Sequence, residues 1–273
     1  MIANDKTAVE SGGSITASAV PCPNVEAPMR ITSPNVAASA DASALNTSKV
    51  LEGIGRSGPP TLVAVPMSWE HAPRHFLNSM TRLDMWRQCQ VVYYDGGTIY
   101  EMRNQAVDDA RRLGVEGILF IDADMSFHRD SLARLVEHSL PIVSGLCRAR
   151  RKPYNIAAKK IIKDPLEGED MLVDVEPDEY TRGLYNVDLV GAAFLYIRMD
   201  VFDQIKKPYF MRREIENPAD GEVDRVGEDY YFCYKARAAG IPIAIDLDLH
   251  IGHITTTIVT TGDDNKNIRL ELE

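Results

Sequence analysis

The pattern that most limits how this chain can fold is the regular alternation of strand-like and helix-like segments after residue 60. Short runs rich in β-branched and apolar residues predict buried strands: "TLVAVPM", "CQVVYYDGG", "GILFID" and "PIVSGLC". Between them lie segments with apolar residues at helical spacing, among them 73–88 and "TIYEMRNQAVDDARRLG". Because such strand–helix–strand units favour parallel pairing, the alternation predicts an α/β fold, a mostly parallel sheet with helices on both faces.

Local signals mark the ends of individual helices. Thr98 and Glu101 fit a capping box before the second helix, and Gly114 fits its C-terminal stop. "HRDSLARLVEHS" predicts another helix, and "GEDYYFCYKARAAG" predicts one that ends at Gly240. "NVDLVGAAFLYIR" and "IPIAIDLDLHIGHI" predict two later strands, the second leading into a histidine-containing loop.

Composition divides the chain into an arm and a domain. Residues 1–58 are rich in Ala, Ser, Thr, Pro and Asn and contain no aromatic residue, so they predict a disordered arm. Residues 59–273 are expected to form one domain. Within it, residues 155–186 are charged and weakly periodic, which indicates an insertion or a flap.

The charge and cysteine content exclude several classes of protein. A formal net charge of −10 and a pI near 5.2 argue against a broad basic surface that binds nucleic acid. A local basic groove remains an alternative. The 4 cysteines include no CxxC pair, which argues against a zinc cluster. No apolar run reaches the roughly 20 residues of a membrane helix, and no secretory signal is evident, so we expect a soluble cytoplasmic protein.

Two carboxylates follow one of the predicted buried strands. Asp122 comes directly after "GILFI", and Asp124 lies two residues further along the chain. Ligands of doubly wound sheets bind beyond the carboxyl ends of the strands, where both side chains could hold one hard cation. The alternative is a polar turn in which one Asp caps the loop and the other is solvated.

The order of several short motifs resembles a GT-A glycosyltransferase of the family-two-like kind, which includes small soluble phage and bacterial enzymes. The motifs are "VAVP", "EMRNQAV", "FIDADM", "IVSGLCRARRKPY", "LVGAAFLYIRMDVF", "GEDYYFCYKARAAG" and "LHIGHI", and they cover roughly residues 61 to 255. The resemblance implies a GT-A, Rossmann-like fold. It also implies Mn²⁺ or Mg²⁺ bound by Asp122, Asp124 and His253, with His250 as a competing but more ordinary histidine.

The same resemblance implies a set of residues around the sugar donor. Val65 and Pro66 would border the nucleotide base, and Arg103 and Asn104 would reach the donor. For Arg103 an ordinary surface ion pair remains an alternative.

Two later segments would complete the substrate site. In the basic cluster from Arg148 to Lys152, one or two side chains would neutralise the diphosphate, and we select Arg148 and Arg151. The others would be solvated. Gly191 and Ala192 would form the tight backbone under the sugar and acceptor, although Gly191 also fits a bulge in a strand.

The resemblance places the catalytic acid in "GEDYYF". Asp229 would take the proton of the acceptor hydroxyl as it attacks the anomeric carbon, with Glu228 as the alternative. If configuration is retained, either acid would position substrates instead. Acids also occur in the first turn of a helix for electrostatic reasons alone.

The acceptor is the least determined part of the function. A hydroxymethylated base in phage DNA is one hypothesis, with the enzyme then in the host cytoplasm. A glycan, a protein or a small molecule is another acceptor. A nucleotidyltransferase, a phosphatase and a non-catalytic carbohydrate-binding protein are alternatives of other classes. "VAVPMSWEH" has no glycine for a phosphate loop, which argues against the first of these.

Overall fold

Strands and helices alternate along the described part of the chain, as the sequence predicts. The structure, a computed structural model, describes residues 57–67, 72–163, 170–216, 223–255, 257–261 and 268–272. Its helices are α1 (Arg74–Arg82), α2 (Ile99–Leu113), α3 (Ser131–Glu137), α4 (Val201–Gln204) and α5 (Glu228–Ala238). Its strands are β1 (Thr61–Pro66), β2 (Cys89–Tyr94), β3 (Gly117–Ile121), β4 (Met125–Ser126), β5 (Ile142–Cys147), β6 (Ala158–Lys163), β7 (Asp170–Asp174), β8 (Leu184–Val187), β9 (Leu189–Val190), β10 (Phe194–Arg198), β11 (Arg213–Glu216), β12 (Val223–Val226), β13 (Ile243–His253), β14 (Thr257–Thr261) and β15 (Ile268–Leu272). Apart from residues 57 and 58, the predicted arm lies outside these ranges.

The central sheet has the strand order β15-β14-β13-β5-β10-β3-β1-β2, with β4 and β8 also pairing with β13. β1 is parallel to β2 and β3, and β5 is parallel to β13. β10 lies between β3 and β5 and is antiparallel to both. The other strands between β2 and β13 in this order therefore share one direction. This is the mostly parallel α/β arrangement that the sequence predicts, and it is consistent with a GT-A, Rossmann-like fold.

The structure divides the predicted strand "NVDLVGAAFLYIR" into three. β8 pairs with β13, β9 pairs with β6, and β10 enters the centre of the sheet. Small residues at 191–193 separate β9 from β10, and the Ala193 carbonyl accepts a hydrogen bond from the Asp122 backbone N–H (2.8 Å). The interruption therefore links this segment to the turn that carries the carboxylate pair.

Helices cover both faces of the sheet, which confirms that part of the predicted fold. On one face α4 and α5 bury Phe202 and Phe232, and Phe210 from the segment after α4 packs with them. The rings of Phe210 and Phe232 stack with their centroids 4.9 Å apart. On the other face α1 and α3 contribute Phe76 and Leu132. Such aromatic and aliphatic burial supplies most of the driving force for folding.

The predicted capping signals of α2 are confirmed. Glu101 accepts hydrogen bonds from both the backbone N–H and the hydroxyl of Thr98, each at 2.8 Å. Gly114 ends the helix with a positive φ of 65°, a conformation that costs glycine little because it has no Cβ. Both ends of α2 are thereby fixed. This determines the position of Arg103, which lies in the middle of the helix.

The segment expected to be an insertion or flap contains regular structure. β6 and β7 form an antiparallel hairpin, and β9 joins it to give a small three-stranded sheet. The strand "AKKIIK" shows little hydrophobic periodicity, so its sequence does not predict it. It forms because it pairs with β7 and β9. Whether this segment is an insertion relative to similar enzymes stays a prediction.

Two further expectations concern the thiols and the membrane. Cys147 and Cys233 are buried free thiols and Cys89 is half-buried. Burial raises the pKa of Cys89 to about 11, which keeps this thiol protonated at neutral pH.

Within the described ranges, no helix is both long and apolar enough to cross a membrane.

The sheet brings distant segments of the chain to one edge. β1, β3 and β5 end at Pro66, Ile121 and Cys147, and parallel strands have their carboxyl ends on the same side. β13 runs past the end of β5, and its last residues pair with β4, so that His253 lies opposite Met125. This edge therefore carries Asp122, Asp124 and His253, the three residues selected as metal ligands.

Candidate functional site

Asp124 and His253 meet at this carboxyl edge. The pairing of β4 with β13 brings them together, and the Ile254 N–H donates to the Asp124 carbonyl oxygen (2.7 Å). The Nε2 atom of His253 lies 3.3 Å from Oδ2 of Asp124. The two side chains are only 16% and 11% exposed, so water screens their interaction weakly. The predicted partnership of these two residues is thus possible in the folded chain.

The hydrogen bonds of His253 fix its tautomer. Its Nδ1 atom lies 2.9 Å from the carbonyl oxygen of Arg148. A carbonyl oxygen can only accept, so Nδ1 carries a proton. In the neutral ring, Nε2 then has a lone pair that faces a carboxylate oxygen. In this form two acceptors oppose each other, and either a cation or a proton between them makes the contact favourable. A backbone carbonyl that holds one ring nitrogen in this way is typical of histidines that bind metal ions.

A third group contacts the same carboxylate oxygen. The Nη1 atom of Arg150 is 2.9 Å from Oδ2 of Asp124, and the Arg150 side chain is 45% exposed. The sequence predicts one or two functional side chains in the cluster from Arg148 to Lys152, but selects Arg148 and Arg151. In the structure Arg148 is buried and its Nη1 donates to the Tyr154 carbonyl (3.0 Å), whereas Arg151 is exposed. Arg150 is therefore a basic residue of this cluster that contacts Asp124, and the substrate roles of Arg148 and Arg151 stay predictions.

Arg103 lies beneath the site with its side chain 2% exposed. Its Nη2 donates to Oδ1 of Asp122 (2.7 Å) and lies 3.5 Å from the Ala192 carbonyl oxygen, while its Nη1 donates to Glu228. The Nε atom has no hydrogen-bond partner among the described residues, which carries a desolvation cost. Arg103 thus fixes two acids from distant segments, and its predicted contact with the donor stays a prediction.

Negative charge exceeds positive charge around Arg103. Burial raises the pKa of Asp122, with Asp124 and Glu228 adding to the rise and Arg103 opposing it. Burial and then Glu228 raise the pKa of Asp229 to about 6, against the opposing effect of Arg103. A carboxyl group with a raised pKa is short of positive partners. The site is therefore suited to receive a cation or a proton.

The predicted metal ligands do not all meet. Within the described part of the chain, no group of three His, Cys, Asp or Glu side chains could hold a metal ion. Asp124 and His253 approach each other, but Oδ1 of Asp122 is directed to Arg103. A carboxylate oxygen and an imidazole nitrogen leave further coordination positions for phosphate oxygens and water, as divalent ions in nucleotide sites require. Asp124 and His253 thus fit such an ion, and the direct contribution of Asp122 stays a prediction.

Gly191 and Ala192 line the backbone beside these acids. A Cβ atom added to Gly191 would lie 3.6 Å from Oδ2 of Asp229 and 3.5 Å from the Ala157 Cβ, both ordinary contacts. Packing alone therefore does not require a glycine here. The buried Ala192 directs its carbonyl oxygen towards Arg103. Both positions adjoin the acidic cluster, and their predicted substrate contacts stay predictions.

The remaining predicted substrate residues have contacts within the fold. Val65 and Pro66 end β1, and the Val65 side chain is fully buried in the core. The Asn104 amide donates to the carbonyl oxygens of Tyr100 and Phe210, both at 2.7 Å. Its oxygen accepts from the backbone N–H groups of Tyr209 (2.9 Å) and Phe210 (3.2 Å). Asn104 therefore holds the backbone at 209–210, and its role towards a donor stays a prediction.

Comparison with known proteins gives distant structural likeness. No protein-family model and no curated protein sequence matches the chain. Similar solved structures include A197 from STIV, at 16% identity and a TM-score of 0.49, covering 78% of this chain and 94% of that chain. They also include GalNAc-T7 with UDP, GalNAc and Mn²⁺, at 12% identity and a TM-score of 0.44. That match covers 73% of this chain and 44% of GalNAc-T7. The fold of this chain is defined by the order and direction of its own strands. A functional assignment depends on the side chains at the carboxyl edge of the sheet.

Proposed function

We propose that the chain is a metal-dependent glycosyltransferase that moves one sugar from a UDP- or GDP-sugar to a hydroxyl acceptor. The observation that carries the proposal is the close approach of Asp124 and His253, with Nε2 of His253 3.3 Å from Oδ2 of Asp124 and Nδ1 of His253 held by the Arg148 carbonyl. Such a pair favours a cation between its members. The motif order that resembles a GT-A glycosyltransferase indicates which reaction such a cation would serve.

In this proposal Asp124 and His253 hold Mn²⁺ or Mg²⁺, and Asp122 lies beside them. When bound, the ion would offset the negative charge of the nucleotide diphosphate. Arg150 contacts Oδ2 of Asp124. Since Arg150 is partly exposed and on an irregular segment, it can turn from Asp124 towards the diphosphate and bind its oxygens through a planar guanidinium.

Asp229 is the preferred proton acceptor for the acceptor hydroxyl. Glu228, the alternative, is fixed by its ion pair with the buried Arg103. A pKa of about 6 leaves Asp229 mostly ionised at neutral pH while keeping it more basic than an ordinary aspartate. If the reaction retains configuration, Asp229 would orient the acceptor instead. Arg103 acts through Asp122 and Glu228 and is a positioning residue.

The first test of this proposal is nucleotide binding. Thermal unfolding would be measured with UDP or GDP, with and without Mn²⁺. The wild type should be stabilised by nucleotide only when Mn²⁺ is present, because binding to the native state raises its stability. Asp124→Asn should lose this response. Asp203→Asn, a matched change in an exposed acid on α4, should keep it. A nucleotide response unchanged by Asp124→Asn would contradict the metal assignment.

The second test concerns transfer. A panel of sugar nucleotides with Mn²⁺ would be incubated with hydroxymethylated DNA and plain DNA, with free hydrolysis measured in parallel. Mass gain on hydroxymethylated DNA alone would support the phage DNA acceptor. Hydrolysis without DNA labelling would favour a glycan, protein or small-molecule acceptor. Nucleotide binding without transfer or hydrolysis would favour the non-catalytic class, and transfer of a nucleotidyl group would identify a nucleotidyltransferase.

A further inference from the structure

A separate pocket of about 280 Å³ lies between α1 and the residues that follow Asp124. Its described lining residues are His75, Asn78, Ser79 and Arg82 from α1, and Ser126, Phe127, His128 and Arg129 from the opposite wall. Strand β4 belongs to this second wall and also pairs with the end of β13 at His253. The pocket therefore adjoins the proposed donor site but is built from different side chains.

Most side chains that line this pocket carry a hydrogen-bond donor. The α1 residues follow helical spacing and so share one face of the helix. Two guanidinium groups, two imidazole rings, two hydroxyls and one amide contribute to the walls, and none of the described lining residues is acidic. In a chain with a formal net charge of −10, such a concentration of donors selects for an anionic group.

The walls are held together by bonds within the protein. The Phe127 N–H donates to Ser79 Oγ (3.1 Å), which joins the residue after β4 to α1. Arg129 donates to Asp84 through Nε (2.9 Å) and Nη2 (2.7 Å), and the Asp84 N–H donates to the Arg129 carbonyl oxygen (2.7 Å). Asp84 already neutralises Arg129, and Oδ1 of Asp130 lies 2.6 Å from Nδ1 of His128. The exposed Arg82 is therefore the principal charge available to a ligand.

We propose that this pocket binds a phosphate group, with Arg82, His75 and Asn78 as its donors. A phosphate accepts several hydrogen bonds at once and matches the planar fork of a guanidinium. The volume lies near the lower limit of small-molecule sites, which suits a single phosphate group better than a whole nucleotide. The phosphate can belong to a phosphomonoester or to the phosphodiester backbone of a nucleic-acid acceptor, since both present the same oxygens.

The test is a titration of the full chain with inorganic phosphate at pH 7.5 in EDTA, followed by calorimetry or ³¹P NMR. We expect a dissociation constant in the millimolar range and a loss of about tenfold or more in Arg82→Gln, because one charge-assisted contact is removed. Arg87→Gln is the matched control, as Arg87 is also exposed but does not line the pocket. Asp124→Asn separates this site from the proposed donor site and should leave phosphate binding unchanged.

Two further arms identify the source of the phosphate. Glycerol phosphate represents a monoester, and a short single-stranded oligonucleotide represents a diester. Binding of either one that is weakened by Arg82→Gln and not by Arg87→Gln supports the site and assigns its ligand. Equal losses in the two arginine variants would indicate a general charge effect and overturn the proposal. Absence of binding by all three phosphate compounds would overturn it as well.

Discussion

Replacing Asp229 with Asn should stabilise the folded chain above pH 6 and should abolish most of its transfer activity. Burial and Glu228 raise the pKa of Asp229 from 3.8 to about 6, so the ionised carboxylate is unfavourable in the native state. Asn keeps the size of the side chain and an oxygen that can accept the hydrogen bond from the Tyr230 N–H (2.8 Å). It removes the charge and replaces one acceptor oxygen with an NH₂ donor.

The magnitude follows from proton linkage. A rise of about two pK units corresponds to roughly 3 kcal/mol of unfolding free energy, and partial exposure of Asp229 reduces the expected value to about 2 kcal/mol. The native carboxyl binds its proton more tightly than the unfolded one. The wild type therefore has this contribution in full below pH 4 and loses it as the pH rises through 6. The Asn variant has no proton to lose, so the difference between the two proteins grows with pH.

Thermal unfolding in EDTA at pH 4.5 to 8 would measure this difference. Near pH 8 the Asn variant should unfold about 4–8 °C higher than the wild type, and the two should converge towards pH 4.5. Glu137→Gln, which removes an exposed acid on α3, should show no such pH dependence. An Asn variant no more stable than wild type at pH 8 would refute the assignment of an unfavourable carboxylate.

The same substitution tests the proposed catalytic function. Loss of the proton acceptor should lower kcat by about 10²- to 10⁴-fold, and wild-type transfer should fall as the pH drops below about 6. A variant that is both more stable and inactive would show that Asp229 is kept for chemistry. Unchanged kcat in the Asn variant would exclude Asp229 as the base.

Three other substitutions test contacts at the site and in the fold. Arg150→Gln should tighten Mn²⁺ binding by about two- to fivefold in calorimetry without nucleotide, because Arg150 no longer competes for Asp124; unchanged affinity would contradict that contact. Asp246→Asn should lower the free energy of unfolding in urea by about 3 kcal/mol. The reason is that the fully buried Asp246 accepts two hydrogen bonds from Arg134 (2.5 and 2.9 Å). A loss below about 1 kcal/mol would contradict this assignment. Gly191→Ala should change unfolding by less than about 0.5 kcal/mol but lower transfer, and full activity would show that close approach at Gly191 is not needed.

Parts of the candidate site were predictable because their signals are local. The capping box of Thr98 and Glu101 depends on residues three apart, and the position of Asp122 after a buried strand depends on one apolar run. The arginine cluster was harder to interpret. Arg148, Arg150 and Arg151 are adjacent and chemically equal, so only the fold distinguishes the one that contacts Asp124.

Arg103 illustrates the same difference. Its sequence neighbours indicate either an exposed ion pair or a donor contact, whereas the fold buries it between Asp122 and Glu228. Those acids are 19 and 125 residues away along the chain. No pattern within a helix predicts partners at such separations.

The sequence by itself determined the alternation of strands and helices, and hence the α/β class, because hydrophobic periodicity and capping act over a few residues. It also determined that acids follow β3 and open α5, and that a histidine ends β13. The tertiary structure alone decided the antiparallel direction of β10 and the place of Arg103 and Arg150 among the acids, and it brought Asp124 to His253, which the resemblance had only implied. These features arise from pairing and burial between segments far apart in the chain, where the energy of a contact depends on which surfaces the whole fold brings together.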